Sequence, residues 1–195
     1  MGNGFELRIG MTTQQVISNI SNMNTTDKTK QLIINFCNND HDKKITDSVE
    51  LAMLDSWSKG SEKVKMPTAK GITKVDENTA RNKGFSIIIG NESTKAKLYQ
   101  INNNEIFGVI KDNYNHNVYS SHKHSYMDEM RDANVDGYAD ERKLFSSTYI
   151  NDNKYIETEY IDENLDGTFD TVVTRKHQYN PKTLEWTETE TEKSL

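Results

Sequence analysis

Two nine-residue segments of this chain carry oxygen-bearing side chains at alternating positions before a glycine. Residues 132–140 read DANVDGYAD and residues 162–170 read DENLDGTFD, so the pattern D-x-N-x-D-G-x-x-D occurs twice, 30 positions apart. A curled chain can point every second side chain inward, and the glycine permits a sharp turn. Carboxylate and amide oxygens are the ligands of Ca²⁺, which takes about six to eight oxygens. The spacing therefore predicts a calcium site in each segment.

Both predicted loops have the same ligand set, with side chains at loop positions 1, 3, 5 and 9 and a backbone carbonyl at position 7. Three carboxylates in so short a loop repel one another unless a cation neutralises them. The predicted ligands of the first loop are Asp132, Asn134, Asp136, the Tyr138 carbonyl and Asp140. Those of the second loop are Asp162, Asn164, Asp166, the Thr168 carbonyl and Asp170.

These loops resemble the calcium loops of EF-hand and dockerin proteins, and still more the shorter β-hairpin calcium loops of integrin-type propellers. An EF-hand loop places a bidentate Glu at position 12, whereas this chain has Lys143 and Val173 there. Both loops therefore match a nine-residue form that closes on Asp140 and Asp170. The alternative is a pair of hairpin turns that bind no ion, because Asp, Asn and Gly are also favoured in turns.

A third, less complete candidate loop lies near the N-terminus, at residues 38–46. It resembles an EF-hand loop between two helical segments, and Ile45 stands where EF-hands carry a buried aliphatic side chain. Lys43 replaces the turn glycine, however, and Glu50 falls one residue late for the closing ligand. The first interpretation is a degenerate helix-loop-helix, and the second is an occupied site. Its candidate ligands are Asn38, Asp40, Asp42, Lys44 and Glu50.

The elements that must position these loops begin with helices. Apolar spacing and capping residues predict a small helical subdomain over residues 1–60. One helix is expected from Thr12 or Thr13 to about Met23, a second from the turn at 24–27 to about Cys37, and a third from about Asp47 to near Gly60. Residues 61–84 show little periodicity and predict a linker.

Residues 85–195 predict an antiparallel β-meander. Candidate strands lie at 85–89, 96–100, 105–111, 117–131, 139–150, 154–161, 169–179 and 183–191. In an up-and-down order, the two calcium loops join successive hairpins at the same end of the sheet. The predicted fold class is therefore α+β, with a helical subdomain before an antiparallel sheet.

Two further groups of side chains have local interpretations. Cys37, the single cysteine, lies on the apolar face of a predicted helix, where a buried and inert thiol is expected. Asp128 and Glu129 precede the first loop, where they could add outer-shell charge or simply be solvated.

Composition narrows the function classes. The formal charge of -6 and the pI near 5.4 argue against nucleic-acid binding, which needs a basic surface. No apolar run approaches about 18 residues, so no membrane span is predicted. No apolar signal segment is visible at the N-terminus. Loops without the bidentate Glu should bind weakly, as in extracellular modules, so an extracellular, cell-surface or virion location is favoured.

These observations predict a non-catalytic calcium-binding structural or interaction module of bacterial or phage type. Calcium ions and another protein are its expected partners, and no catalytic or cofactor-binding residues are predicted. Because only 33 % of the residues are hydrophobic, ion binding would contribute to the free energy of folding. The alternatives are an EF-hand-type calcium sensor acting through the N-terminal helix-loop-helix, and a hydrolase with structural calcium.

Overall fold

The chain begins with helices and ends with one antiparallel sheet, which confirms the α+β class. The structure is a computed structural model that describes residues 5–67, 86–89, 97–101, 105–111, 115–123, 126–134 and 136–195. In these ranges the helices are α1 (Thr13–Ser18), α2 (Asp27–Asn39) and α3 (Ser48–Ser58), with a 3-10 turn at Ile20–Asn22. The strands are β1 (Ser86–Ile89), β2 (Lys97–Ile101), β3 (Glu105–Lys111), β4 (Asn115–Lys123), β5 (Tyr126–Asp132), β6 (Glu141–Asn151), β7 (Lys154–Asp162), β8 (Thr171–Asn180) and β9 (Glu185–Ser194).

Each helix begins at a side chain that satisfies the free amides of its first turn. Thr12 and Thr26 each accept a hydrogen bond from the amide three residues later, at 3.1 Å. Asp47 accepts from two amides at the start of α3, both at 2.9 Å. Such caps stabilise helix ends, and the helix starts predicted from the sequence are confirmed. Of the described helices, none is long and apolar enough to cross a membrane.

The nine strands form a meander in which each strand pairs antiparallel with the next. We call residues 132–140 loop 1 and residues 162–170 loop 2. Loop 1 joins β5 to β6 and loop 2 joins β7 to β8, so both lie at the same end of the sheet, as the predicted order required. The single strand predicted at 117–131 is wrong. It is two antiparallel strands, because the backbone groups of β4 find their partners in β5.

The hydrophobic core lies where the helices pack against the loop end of the sheet. Phe36 and Trp57 are almost fully buried there, and their rings meet edge to face with centroids 6.2 Å apart. Met130 of β5 and Leu165 of loop 2 join this cluster of helical side chains. The helices and the loop end of the sheet therefore share one core.

The segment predicted as a linker begins inside this core. Val64 and Met66 are 1 % and 7 % exposed, and they border a β-bridge between Lys65 and Tyr138 of loop 1. The Met66 amide donates to the Gly137 carbonyl at 3.0 Å. The chain thus stays packed through Met66, which lies beyond the predicted boundary, and residues 68–84 of the predicted linker lie outside the described residues.

Among the described residues, the opposite end of the sheet lies outside this core. Tyr149, Ile150, Leu184 and Trp186 near the β6–β7 and β8–β9 turns are exposed, and the edge strand β9 is exposed along its whole length. Because hydrophobic stabilisation scales with the apolar area removed from water, these exposed side chains gain little from burial.

Candidate metal centre

Loop 1 and loop 2 have the same turn and the same internal hydrogen bonds. Gly137 and Gly167, at the sixth position of each loop, have φ values of 90° and 87°, a conformation that glycine adopts at little cost. The first carboxylate of each loop accepts from that glycine's amide, at 2.9 Å for Asp132 Oδ2 and 3.1 Å for Asp162 Oδ2. Two segments with one sequence pattern therefore have one local structure.

The central carboxylates, Asp136 and Asp166, also accept hydrogen bonds from the backbone of their own loops. Each accepts at Oδ1 from the amide two residues later, that of Tyr138 or Thr168, at 2.9 Å. Thr168 adds its hydroxyl as a second donor to Asp166. The amides of Asp136 and Asp166 donate in turn to the first carboxylate of their own loop, at 3.2 Å. The acidic side chains at positions 1 and 5 thus converge on the same stretch of backbone.

The ninth position of each loop reaches back to its start. Asp140 Oδ2 accepts from the Ala133 amide at 2.8 Å, and Asp170 Oδ2 accepts from the Glu163 amide at 2.9 Å. These bonds run from the last residue of the loop to the second, so the carboxylates lie at the loop mouth.

Position 12 of each loop has a different role. The Lys143 ammonium lies 3.0 Å from Glu159 and 3.6 Å from Glu141, and Val173 is only 6 % exposed. One side chain forms ion pairs and the other is buried apolar surface, so neither position supplies the bidentate carboxylate of an EF-hand.

The loop carboxylates are not drawn together as tightly as the ligands around a bound cation. Among the described residues, no group of three acidic or histidine side chains with ligand atoms within 4.8 Å of one another includes a member of either loop. Asn134 Oδ1 accepts from the Asp136 amide at 2.9 Å, and Asn164 Nδ2 donates to Asp170 at 3.4 Å. Backbone amides hold the predicted ligands in place, and each accepting carboxylate still has lone pairs that a cation could use.

Burial changes the acidity of the first carboxylate of loop 2. Asp162 is 1 % exposed, and this burial raises the pKa of its carboxyl to about 6, although the Gly167 amide and the Arg142 charge act to lower it. Cations bind the deprotonated form, so a cation in loop 2 would bind better above this pKa.

The N-terminal candidate loop lies between α2 and α3, with Lys43 in the left-handed conformation at a φ of 58°. Asp40 Oδ2 and Asp42 Oδ1 both accept from the Lys44 amide, at 2.8 and 3.1 Å. The Lys43 ammonium donates to the Asn38 carbonyl at 2.7 Å. A positive charge beside the first candidate ligand, Asn38, disfavours a cation in an EF-hand arrangement here.

His41, which the sequence pattern did not single out, joins the carboxylates of that loop. Its Nδ1 lies 3.5 Å from Asp40 Oδ1 and its Nε2 lies 3.8 Å from Asp42 Oδ2. The hydrogen bond with Asp40 raises the pKa of His41 above its ordinary value. These three side chains and Glu50 have ligand atoms within 4.8 Å of one another. In the sequence, the indication that His41 could be a ligand is its position between the candidate ligands Asp40 and Asp42.

A buried ionic cluster that the sequence did not reveal connects α3 to the sheet through Arg142. Its guanidinium donates to both oxygens of Asp128, at 3.0 and 2.8 Å, and lies 3.6 Å from Glu50 Oε1. It also lies over the rings of Phe36 and Phe169, 5.3 and 5.2 Å from their centroids. Asp128 is fully buried, so it is neither solvated nor an outer-shell charge at the loop surface.

Comparisons with protein-family models, with curated proteins and with solved structures found no match for this chain. Its function therefore has to be inferred from its own residues.

Proposed function

We propose that this protein is a non-catalytic calcium-binding module in which Ca²⁺ bound in loop 1 and loop 2 stabilises the end of the sheet that packs against the helices. One observation carries the proposal: the carboxylates at positions 1, 5 and 9 accept from equivalent amides in two loops 30 residues apart. A hairpin turn needs little more than its glycine and one Asx side chain. Three ordered carboxylates in each loop exceed that need.

The donor set of each loop suits a hard cation. Four side chains and one carbonyl supply oxygen alone, and water can complete the shell of about six to eight ligands that Ca²⁺ takes. Neither loop contains a Cys or His that would favour a softer metal. Without the bidentate Glu, we expect a dissociation constant on the order of 10⁻⁴–10⁻³ M, the range of extracellular modules.

Both loops are also attached to the hydrophobic core, which would transmit the effect of binding to the helices. Loop 1 pairs with the chain after α3, where the Ala139 amide donates to the Val64 carbonyl at 2.8 Å. Loop 2 buries Leu165 to 6 % exposure and places Gly167 against α2. A ligand that binds only the folded state stabilises it by about 2.7 kcal/mol at 100 times its dissociation constant.

The sensor alternative has less support, because the Lys43 ammonium already bonds the Asn38 carbonyl in the N-terminal loop. A sensor would need its tightest calcium site there.

The test combines native mass spectrometry and thermal melts of the full chain with and without calcium, after dialysis against EDTA. We expect calcium to raise the Tm and to be retained in both loops. Asp136→Asn should remove the calcium ion of loop 1 and Asp166→Asn that of loop 2, because each substitution deletes a central charged ligand. The amide oxygen of the new Asn side chain can still accept the backbone hydrogen bond.

The matched control is Asp152→Asn, an equally conservative change at an exposed residue in the turn between β6 and β7. It should leave the ion count and the calcium-dependent rise in Tm unchanged. A wild-type chain whose Tm and ion count are the same in EDTA and in millimolar calcium would overturn the proposal.

A further inference from the structure

Three carboxylates from two separate parts of the chain meet in the interior between α3 and β5. Asp47 is the N-cap of α3, Glu50 belongs to its first turn and Asp128 lies in β5. Their ligand atoms lie within 4.8 Å of one another, and the residues are only 2 %, 0 % and 0 % exposed. Water therefore does little to screen their mutual repulsion.

The charges of this cluster do not balance within the described part of the chain. Arg142 pairs with Asp128 and lies 3.6 Å from Glu50, but one guanidinium offsets only one of three carboxylates. Buried charges without partners are strongly disfavoured, so the cluster has to gain protons or a cation.

Each of the two α3 carboxylates uses one oxygen for the backbone, and its other oxygen accepts no hydrogen bond from the described part of the chain, although Glu50 Oε1 lies 3.6 Å from Arg142. Asp47 Oδ1 accepts from the amides of Val49 and Glu50, both at 2.9 Å. Glu50 Oε2 accepts from the Thr46 amide at 2.7 Å. Asp47 Oδ2 and Glu50 Oε1 are buried and accept no hydrogen bond from the described residues. Two carboxylate oxygens that accept no hydrogen bond, beside a third carboxylate, can supply part of the oxygen shell of a metal ion.

We propose that Asp47, Glu50 and Asp128 form a third cation site, buried between α3 and β5, which binds one hard divalent cation such as Mg²⁺, Mn²⁺ or Ca²⁺. A site made of carboxylates favours a hard ion over ions that prefer thiolate or imidazole ligands. Its two charges neutralise what Arg142 leaves uncompensated, and the ion ties the helices directly to the sheet. The site uses no ligand of loop 1 or loop 2, so it does not rest on the proposed function.

The test uses the full chain with the loops disabled by D136N/D166N and supplied with Mg²⁺, Mn²⁺ or Ca²⁺ as chloride salts after treatment with EDTA. We expect native mass spectrometry to show one retained ion in this variant, and none after adding D47N or E50Q. Both changes preserve the local structure. In D47N the new side chain can still cap α3, and in E50Q the side-chain amide oxygen can still accept from the Thr46 amide.

A second measurement separates a metal ligand from a merely structural carboxylate. D47N and E50Q each replace a carboxylate ligand with a neutral amide, so they should abolish the rise in Tm that the cation causes in the D136N/D166N background. The matched control is D55N on the exposed side of α3, where Asp55 pairs with Lys59. It should leave ion retention unchanged.

Asp40, His41 and Asp42 form an adjoining group that also includes Glu50. The D42N variant tests whether an ion binds in that group or in the site formed by Asp47, Glu50 and Asp128. We expect the ion to survive D42N and to be lost with D47N, and the reverse would overturn the site. If the wild type retains two ions and D136N/D166N retains none, the buried site is overturned and the proposed function stands. If the wild type and D136N/D166N each retain one ion, the buried site is supported and calcium binding by loop 1 and loop 2 is contradicted.

Discussion

Gly167 of loop 2 lies directly against the backbone of Phe36 in α2. A β-carbon built on Gly167 would come within 2.9 Å of the Phe36 nitrogen and 3.0 Å of the Leu32 carbonyl oxygen. These atoms belong to the helix backbone and cannot move aside as the tip of a side chain can. Gly137, the equivalent residue of loop 1, also has a positive φ, but no atom of the described residues lies within 4 Å of such a carbon. The β-carbon position of Gly167 is therefore occupied by α2, whereas that of Gly137 is open.

This difference predicts unequal effects of the same substitution in the two loops. G137A should lower the free energy of unfolding by about 1–2 kcal/mol, the cost of a left-handed conformation for a residue with a β-carbon. G167A carries the same cost and must also push loop 2 away from α2, so its loss should be clearly larger. Urea unfolding in EDTA measures both, and equal losses would contradict the close contact with Phe36.

Removing Arg142 should be among the most damaging single changes to this protein. Arg142→Met would leave Asp128 and Glu50 buried without their cation, and we expect a loss of about 3–5 kcal/mol in the free energy of unfolding. The control is R142M/D128N, in which the most closely paired carboxylate is also neutralised. It should recover part of the loss in urea unfolding, and a double variant no more stable than R142M would argue against the ion pair.

The ion pairs of Glu159 predict a pH dependence of stability. Glu159 of β7 lies 3.0 Å from both Lys143 of β6 and Arg175 of β8. Burial alone would raise the pKa of Glu159, but the hydrogen bonds from the two cations outweigh it and lower the pKa below the ordinary 4.5. The stabilisation is therefore present above 4.5 and is lost as the pH falls through the lowered pKa.

E159Q should accordingly lower the free energy of unfolding near neutral pH by about 1 kcal/mol. Its effect should shrink once the pH is well below the ordinary 4.5, because the wild-type carboxyl is then protonated as well. Urea unfolding at a series of pH values measures this, with E185Q at an exposed position of β9 as the control. An effect of E159Q that is the same at all pH values would contradict the ion pairs as its cause.

Cys37 is predicted to be a probe of the helical core. It is 2 % exposed, and burial raises the pKa of its thiol to about 12. Because the thiolate is the reactive form, iodoacetamide in mildly alkaline buffer should label the folded chain very slowly and the urea-unfolded chain completely. If calcium in loop 2 stabilises α2, labelling measured by mass spectrometry should slow further with calcium. Rapid labelling of the folded chain would contradict the buried environment.

Local chemistry in the sequence was sufficient to locate most helices, strands and loops. Thr12 and Thr26 cap helices through amides three residues away, and Gly137 and Gly167 provide the turns of two hairpins. These interactions join near neighbours in the chain, so a short pattern contains all the information they need. The boundary that failed, between β4 and β5, has no turn glycine or proline to mark it.

Only the tertiary structure decided which charged side chains are buried. Asp128 and Glu129 are adjacent acidic residues with the same sequence context, yet Asp128 is fully buried and Glu129 is partly exposed. Because side chains alternate in direction along β5, Asp128 and Glu129 face opposite sides of the sheet. This alternation does not predict which side α3 covers. The cluster of Asp47, Glu50, Asp128 and Arg142 joins segments far apart in the chain. Its composition depends on how the helices dock, and docking is set by packing between distant residues rather than by any local pattern.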